Sequence, residues 1–260
     1  MVELTPLLLL GTFSGFFAGL LGVGGGLIIV PALLYLLSSS VDQSALMHTA
    51  VGTALAAIVF TSISSVKAHH GRGAIHWQNF KKLTPTILLG AFSGALLTKM
   101  MSFDFMRIFF ALFEFGAAAI MYFGISSASH VDNLGKGVWR VSGYIIGLVS
   151  AIVGIGGGTM TTPFLTYNNV NIKNAIATSA AVGMPIAIAG AFGFIVAGWG
   201  VESGDSGLGF IHTEALISIV VMSVLFAPLG AKVAHSVDGK KLKKFFAIFL
   251  VFLGLTVITF

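Results

Sequence analysis

Cysteine is absent from this 260-residue chain, and charged side chains are scarce. The lack of cysteine excludes disulfide bonds, thiolate metal sites and cysteine nucleophiles. Only 9% of the residues are charged and 56% are hydrophobic, whereas soluble domains carry about 25% charged residues. Most of the surface must therefore face lipid, and the composition predicts an all-α polytopic membrane protein.

One glycine-rich motif occurs twice in the chain. Residues 22–26 read GVGGG and are followed by Pro31, and residues 154–158 read GIGGG and are followed by Pro163. Each copy lies between a longer and a shorter hydrophobic segment. Duplicated hydrophobic units that are interrupted by glycine are typical of transporters with internal repeats and a binding site near the membrane centre.

Ten hydrophobic segments follow one another, five in each half of the chain. The predicted first repeat, residues 1–124, has a hairpin at 4–37 and spans at 45–64, 83–100 and 105–124. After a predicted cytoplasmic linker at 125–137, the second repeat, residues 138–260, has a hairpin at 138–167 and spans at 175–199, 213–231 and 245–260. The segment at 27–37 reaches about 16 Å as a helix, roughly half of a bilayer core. Each hairpin is therefore expected to be re-entrant or broken, with its glycine tip near the membrane centre.

The distribution of basic residues favours halves of inverted topology, because lysine and arginine are enriched in cytoplasmic loops. If each hairpin enters and leaves on one side, only Lys99 and Arg107 of the 14 basic residues lie outside. The other basic residues then lie in the cytoplasm: Lys67, Arg72, Lys81, Lys82, Lys136, Arg140, Lys173, Lys232, Lys240, Lys241, Lys243 and Lys244. If each hairpin crosses the membrane once, basic residues divide almost evenly between the two sides. The charge pattern thus predicts re-entrant hairpins. Hairpins that span the membrane fully are the alternative.

The paired motifs, together with stretches elsewhere in the chain, resemble the TauE/SafE family of sulfite and organosulfonate exporters. These stretches are AVGT ending at Thr53, ATS ending at Ser179, GALL from Gly94 and GAKV from Gly230. The resemblance covers almost the whole chain and implies a multi-pass exporter in the cytoplasmic membrane of a prokaryote. The family's Thr-Ser pair in the third segment is Thr53-Ala54 here, so one of its hydroxyl groups is missing.

Two helices that begin at the glycine motifs would point unpaired N–H groups at the membrane centre. Such helix ends bind anions, and glycine lets a ligand approach the backbone closely. No lysine or arginine lies in the middle of a predicted span, so we expect backbone N–H groups and hydroxyl groups to hold the substrate. The predicted substrate-binding residues are Gly24, Gly25, Gly26, Thr53, Gly156, Gly157, Gly158, Thr159, Thr178 and Ser179. The alternative is that the glycines only permit close helix packing.

Two further polar residues lie within predicted spans. Glu114 lies in the middle of the fifth segment, where a carboxyl group could take up a proton during transport or serve only as a structural hydrogen-bonding group. His48 lies near the outer end of the third segment and could act in gating, or be held by a neighbouring group. These two residues are the candidates for coupling or gating.

The sequence therefore predicts a secondary transporter that moves a small anion, most simply a sulfur oxyanion or organosulfonate, by alternating access. A passive anion channel is an alternative. An intramembrane phosphatase-like enzyme is another, but it would need clustered carboxylates and an arginine at its pocket. No enzyme activity, cofactor or metal is expected, and the expected partners are the anionic substrate and lipid rather than nucleic acid. A homo-oligomer is a further possible partner assembly.

Overall fold

The computed structural model of the protein describes residues 4–22, 24–123, 135–200, 207–233 and 239–260. Within these ranges the chain forms ten α-helices in succession. They are α1 (Leu4–Leu21), α2 (Gly26–Leu37), α3 (Gln43–His70), α4 (Trp77–Thr98), α5 (Phe103–Phe123), α6 (Lys136–Val153), α7 (Gly158–Tyr167), α8 (Ile172–Ala197), α9 (Thr213–Val233) and α10 (Gly239–Thr259).

Length and apolar composition qualify five of these helices as membrane spans: α3, α5, α6, α8 and α9. The outer faces of other helices are also apolar. On α10, for example, Phe252 is 61% exposed and Ile248 is 63% exposed. Large apolar side chains exposed to this extent along whole helices fit contact with lipid rather than with water. The prediction of an all-α polytopic membrane protein is confirmed.

Several helices extend beyond the apolar segments that predicted them. α3 continues to His70, and α4 begins at Trp77, before the predicted span at 83–100. Polar side chains can continue a helix past its apolar part because their charged ends reach into the aqueous interface. Most of the predicted linker 125–137 lies outside the described residues, as do the loop with Glu202 and Asp205 and the side chains of Lys240, Lys241 and Lys243.

The first helix of each half packs against a helix of the other half. α1 lies along α9, and in the same way α6 lies along α4. Glycine permits both contacts: a Cβ atom at Gly15 would overlap Ser223 of α9, and one at Gly90 would overlap Tyr144 of α6. Close backbone approach through small residues is the usual basis of helix association in membranes.

Helices that occupy the same place in the two halves run antiparallel where they meet. Along the contact of α3 with α8, the position of Gly52 adjoins Phe194, whereas Leu55, further along α3, adjoins Gly190. α5 and α10 pair in the same sense, since Phe103 at the start of α5 adjoins Phe260 at the end of the chain, with ring centroids 6.1 Å apart. The centre of the molecule is thus formed by α3 and α8, and most of their residues are buried.

Candidate functional site

Each glycine motif ends one helix and begins the next. Gly25 precedes α2 with a φ of 82°, and Gly157 precedes α7 with a φ of 72°. At the end of α6, Gly154 has a φ of 81°, and its N–H group donates to the carbonyl groups of Ser150 and Ala151. Glycine adopts such left-handed conformations without the steric cost that a Cβ atom would add. The repeated glycines therefore allow two sharp turns between helices.

The two motifs contact each other inside the molecule, and we call this contact the glycine junction. A Cβ atom at Gly24 would lie 3.0 Å from the Cα atom of Gly156, and one at Gly26 would overlap the carbonyl oxygen of Gly154. Gly25 and Gly157 face other neighbours, because their Cβ positions adjoin Ser14 and Ile186, respectively. The junction thus depends on backbone contact between residues that are distant in sequence.

A small cleft adjoins the glycine junction, and we call it the junction cleft. Its volume is about 10 Å³, close to what a single water molecule needs. The described residues that line it are small or carry hydroxyl groups: Ala18, Gly22, Gly24, Thr61, Ser62, Ser65, Gly156, Ala180 and Gly183. None of these lining residues is ionisable, so any ligand here would meet hydroxyl and backbone groups.

The hydroxyl groups of Thr53 and Thr178 bind the segments that precede helices of the opposite half. Thr53 Oγ1 on α3 accepts a hydrogen bond of 2.9 Å from the backbone N–H of His212, just before α9. Thr178 Oγ1 on α8 accepts one of 2.9 Å from the backbone N–H of His76, just before α4. Their predicted role as substrate ligands stays a prediction, but in this conformation both hydroxyl groups hold a loop in place.

These two bonds belong to loops that cover α3 and α8 at opposite ends of the central helix pair. Phe210 packs on the N-terminal half of α3, where its ring stacks on that of His48 with centroids 4.9 Å apart. Ile75 packs against Ala177 on the N-terminal half of α8. We call residues 207–212 the α9 loop and residues 71–76 the α4 loop. Because α3 and α8 are antiparallel, the two loops close opposite ends of the pair.

Burial also affects the ionisation of His212 in the α9 loop. It lowers the pKa of His212 below its ordinary value, while the negative charge of Glu214 acts in the opposite direction. The ring nitrogen Nδ1 of His212 accepts the backbone N–H of Ala215 at 3.3 Å, in the first turn of α9. The lowered pKa and the hydrogen bond accepted by Nδ1 both favour the neutral form of His212 at the start of α9.

Of the other predicted site residues, some side chains have a hydrogen-bond partner and others have none among the described residues. Ser179 Oγ lies 2.8 Å from Thr162 Oγ1, which joins α7 to α8. Thr159 Oγ1 is buried and has no hydrogen-bond partner within the described ranges. His48 Nε2 lies 2.8 Å from the carbonyl oxygen of Thr98. Glu114 is fully buried on α5, and neither of its carboxylate oxygens has a partner in the part of the chain that is described.

The sequence interpretation missed the hydroxyl groups of Thr61, Ser62 and Ser65. The available signal was the run TSISS at 61–65, which places several hydroxyl groups near the end of an otherwise apolar segment. Residues at positions 61, 62 and 65 lie close together on a helix, because residues four apart are neighbours on its surface. The family resemblance directed attention to Thr53, a little more than two turns earlier in α3.

Comparison with known proteins adds to this geometry. A probable membrane transporter protein of Haemophilus influenzae is 40% identical over 247 residues, which is 94% of this chain and 94% of the relative. A probable membrane transporter protein of Methanocaldococcus jannaschii is 24% identical over 97% of this chain and 94% of its own length. For YdhB of Bacillus subtilis, also a probable membrane transporter protein, the identity is 26% over 96% of both chains. No solved structure matches the chain at a significant level.

The fold and these relatives define a multi-pass membrane transporter. Residues 7–257 match the family described as sulfite exporter TauE/SafE, and the chain belongs to that family.

Proposed function

We propose that this protein exports a small anion, a sulfur oxyanion or an organosulfonate, across the cytoplasmic membrane as a secondary transporter. The observation that carries the proposal is the glycine junction, where two glycine turns meet beside a cleft lined by hydroxyl groups. Helix starts with exposed N–H groups favour negative charge. The description of the family as sulfite exporters supports sulfur oxyanions as the substrate class.

Alternating access between two inverted halves is the mechanism that we propose. The antiparallel pairing of α3 with α8 and of α5 with α10 supports inversion, because helices that occupy the same position in the two halves then run in opposite directions. α1 packs on α9 and α6 packs on α4, so the surfaces along which the halves would move include these contacts. The glycine junction would be the centre of that movement.

The α9 loop and the α4 loop would serve as the two gates. Each is bonded to the opposite half through a threonine hydroxyl, Thr53 for the α9 loop and Thr178 for the α4 loop. Arg72 of the α4 loop also donates to the carbonyl oxygen of Ala231 at 3.3 Å. Each such hydrogen bond contributes about 0.5–1.5 kcal/mol, so these few bonds can form and break within a transport cycle. His48, stacked on Phe210 of the α9 loop, is placed to respond when that gate moves.

Glu114 is our proposal for the residue that couples transport to protons. Its carboxyl group is fully buried and has no hydrogen-bond partner among the residues described. A carboxylate without a partner is costly inside a membrane, so uptake of a proton would stabilise this group. A proton gradient could therefore bias the conformation in which Glu114 is protonated.

A flux panel in proteoliposomes tests the function. Purified protein would be reconstituted and offered sulfite, sulfate, sulfoacetate, taurine and acetate, with and without a pH gradient. We expect sulfite or an organosulfonate to accumulate against its own gradient when a pH gradient is applied. Transport that only equilibrates the anion would indicate a passive channel, and the absence of anion flux in every case would refute the proposed function.

Glu114→Gln provides the matched test of coupling, because glutamine keeps the shape and loses the proton site. We expect this variant to exchange anion for anion while losing accumulation driven by the pH gradient. Unchanged accumulation in Glu114→Gln would show that another group carries the proton.

A further inference from the structure

We propose that Ser62 and Ser65 of α3 donate hydrogen bonds to the oxygen atoms of the substrate, and that the junction cleft accepts monovalent oxyanions in preference to divalent ones. This inference rests on the function proposed above and names the residues and the charge state of the substrate. It differs from the prediction drawn from sequence, which assigned the hydroxyl contacts to Thr53, Thr159, Thr178 and Ser179.

Ser65 is the observation that points to a ligand. The residue is only 4% exposed, it lines the junction cleft, and its Oγ atom has no hydrogen-bond partner within the described ranges. Nearly all buried polar atoms in proteins are paired, because an unpaired group loses its hydration without compensation. A hydroxyl group left unpaired at the wall of a cleft is therefore available to a ligand that enters the cleft.

Two further hydroxyl residues lie on the same wall. Ser62 also lines the cleft and is buried. Thr61 Oγ1 lies 2.9 Å from Ser223 Oγ of α9 and donates to the carbonyl oxygen of Ala57 at 3.0 Å. Ser223 on α9 thereby fixes the orientation of the Thr61 side chain. The wall thus combines the bonded hydroxyl group of Thr61 with those of Ser62 and of Ser65, whose Oγ atom has no partner among the described residues.

The opposite wall of the cleft is backbone. Gly22 and Gly24 have φ values of 68° and 84°, and Gly156 and Gly183 also line the cleft without side chains. A Cβ atom at Gly183 would lie 2.6 Å from the carbonyl oxygen of Gly156, so these two glycines of the backbone wall are in close contact with each other. A ligand between these walls would contact main-chain groups on one side and hydroxyl groups on the other.

The charge preference follows from the chemistry of the lining. No lining residue that the structure describes is ionisable, so the lining itself places no positive side chain against a bound anion. The cost of transferring an ion from water into a medium of low dielectric constant rises with the square of its charge. Hydroxyl and amide donors can compensate one charge far more readily than two. The lining of the cleft therefore favours hydrogensulfite or a sulfonate over the sulfite dianion and sulfate.

The cleft must widen before it can hold such an anion. Its volume of about 10 Å³ leaves room for about one water molecule, so the structure represents a closed state of the site. The α4 loop covers α8 beside the cleft through the contact of Ile75 with Ala181. Release of this loop is the simplest movement that would enlarge the cleft, and it would open the site on the side of the C-terminal half of α3.

Alanine variants of the hydroxyl wall test the residue assignment. Ser62→Ala and Ser65→Ala would be compared with Ser64→Ala, whose side chain lies on the same helix but bonds the carbonyl oxygen of Val224 at 3.3 Å. We expect KM for methanesulfonate to rise about tenfold in Ser62→Ala and Ser65→Ala, as for a lost hydrogen bond to a charged group. Ser64→Ala should keep the KM of the unmodified protein. Equal KM values in all three variants, at unchanged melting temperature, would overturn the assignment.

The charge preference is tested on the unmodified protein and needs no variant. Methanesulfonate remains a monoanion across neutral pH, sulfate remains a dianion, and sulfite changes from one to the other. We expect initial uptake of sulfite, with no pH gradient, to fall as pH rises in proportion to hydrogensulfite, whereas uptake of methanesulfonate changes little. Sulfate that is transported as fast as methanesulfonate would overturn the preference. If no anion is transported at all, the proposed function itself fails.

Discussion

At the scale of single residues, glycine has two different roles in this protein. In the motifs it supplies turns with positive φ, as at Gly24 and Gly157, and brings two backbone segments into contact. In the helices it removes side chains where another helix approaches, as at Gly15 and Gly90. A substitution in the first group changes the glycine junction, whereas one in the second group changes the spacing of helices.

Gly24→Ala tests the first role, with Gly200→Ala as its matched control. Both glycines have nearly the same φ, 84° and 81°, so both variants lose about 1–2 kcal/mol to backbone strain. Only at Gly24 would the new Cβ atom lie 3.0 Å from Gly156, whereas at Gly200 no atom of the described residues lies within 4 Å. We expect Gly24→Ala to lower anion uptake at least tenfold and Gly200→Ala to retain it, as measured in proteoliposomes alongside the melting temperature. Similar uptake by both variants would show that contact at the junction is not needed for transport.

At the scale of helices, the fold depends on two long contacts, α1 with α9 and α4 with α6. Both are made through glycine and other small residues, which is expected where lipid offers no hydrophobic driving force between helices. The charges and lengths of these helices do not specify their partners. The small residues mark only the faces along which another helix can approach.

Gly90→Ala should disrupt the contact of α4 with α6, and Gly116→Ala on α5 is its control. The new methyl group at Gly90 would overlap the carbonyl oxygen of Tyr144, whereas Gly116 has open space around its Cβ position. Overpacking of this kind costs about 1–3 kcal/mol. We expect a lower melting temperature in detergent for Gly90→Ala and little change for Gly116→Ala. A melting temperature for Gly90→Ala equal to that of the control would mean that α4 and α6 can move apart freely.

At the scale of the whole molecule, the arrangement of halves determines which loops share a side of the membrane. The antiparallel pairing of α3 with α8 favours inverted halves, and the distribution of lysine and arginine favours them independently. Two different kinds of observation thus favour the same topology, which we propose for this protein. In that topology the α4 loop faces the cytoplasm and the α9 loop faces outside.

Labelling of introduced cysteines tests this topology, and the native chain gives no background because it contains none. We expect Gln78→Cys and Gly239→Cys to react only from the cytoplasmic side with a reagent that does not cross membranes. Ser206→Cys should react only from the outside. Labelling of Ser206→Cys and Gly239→Cys from the same side would contradict inverted halves.

Composition and segment pattern alone determined the class of protein, the ten helices and the positions of the two glycine motifs. These features are local: apolar segments of sufficient length must form helices in lipid, and glycine interrupts them wherever it occurs. The helix ends were less accurate, as α3 and α4 show, since polar residues extend a helix without changing its apolar part.

Only the tertiary structure decided which hydroxyl groups line the junction cleft. α3 is buried on nearly all sides, so its sequence has no polar face that would show which residues turn towards the glycines. Thr53 meets His212 and Thr178 meets His76, more than a hundred residues away in sequence in both cases. Ser65 reaches the cleft because α3 and α8 cross beside the two motifs. Packing between the halves sets these contacts, and a pattern read along one helix does not contain them.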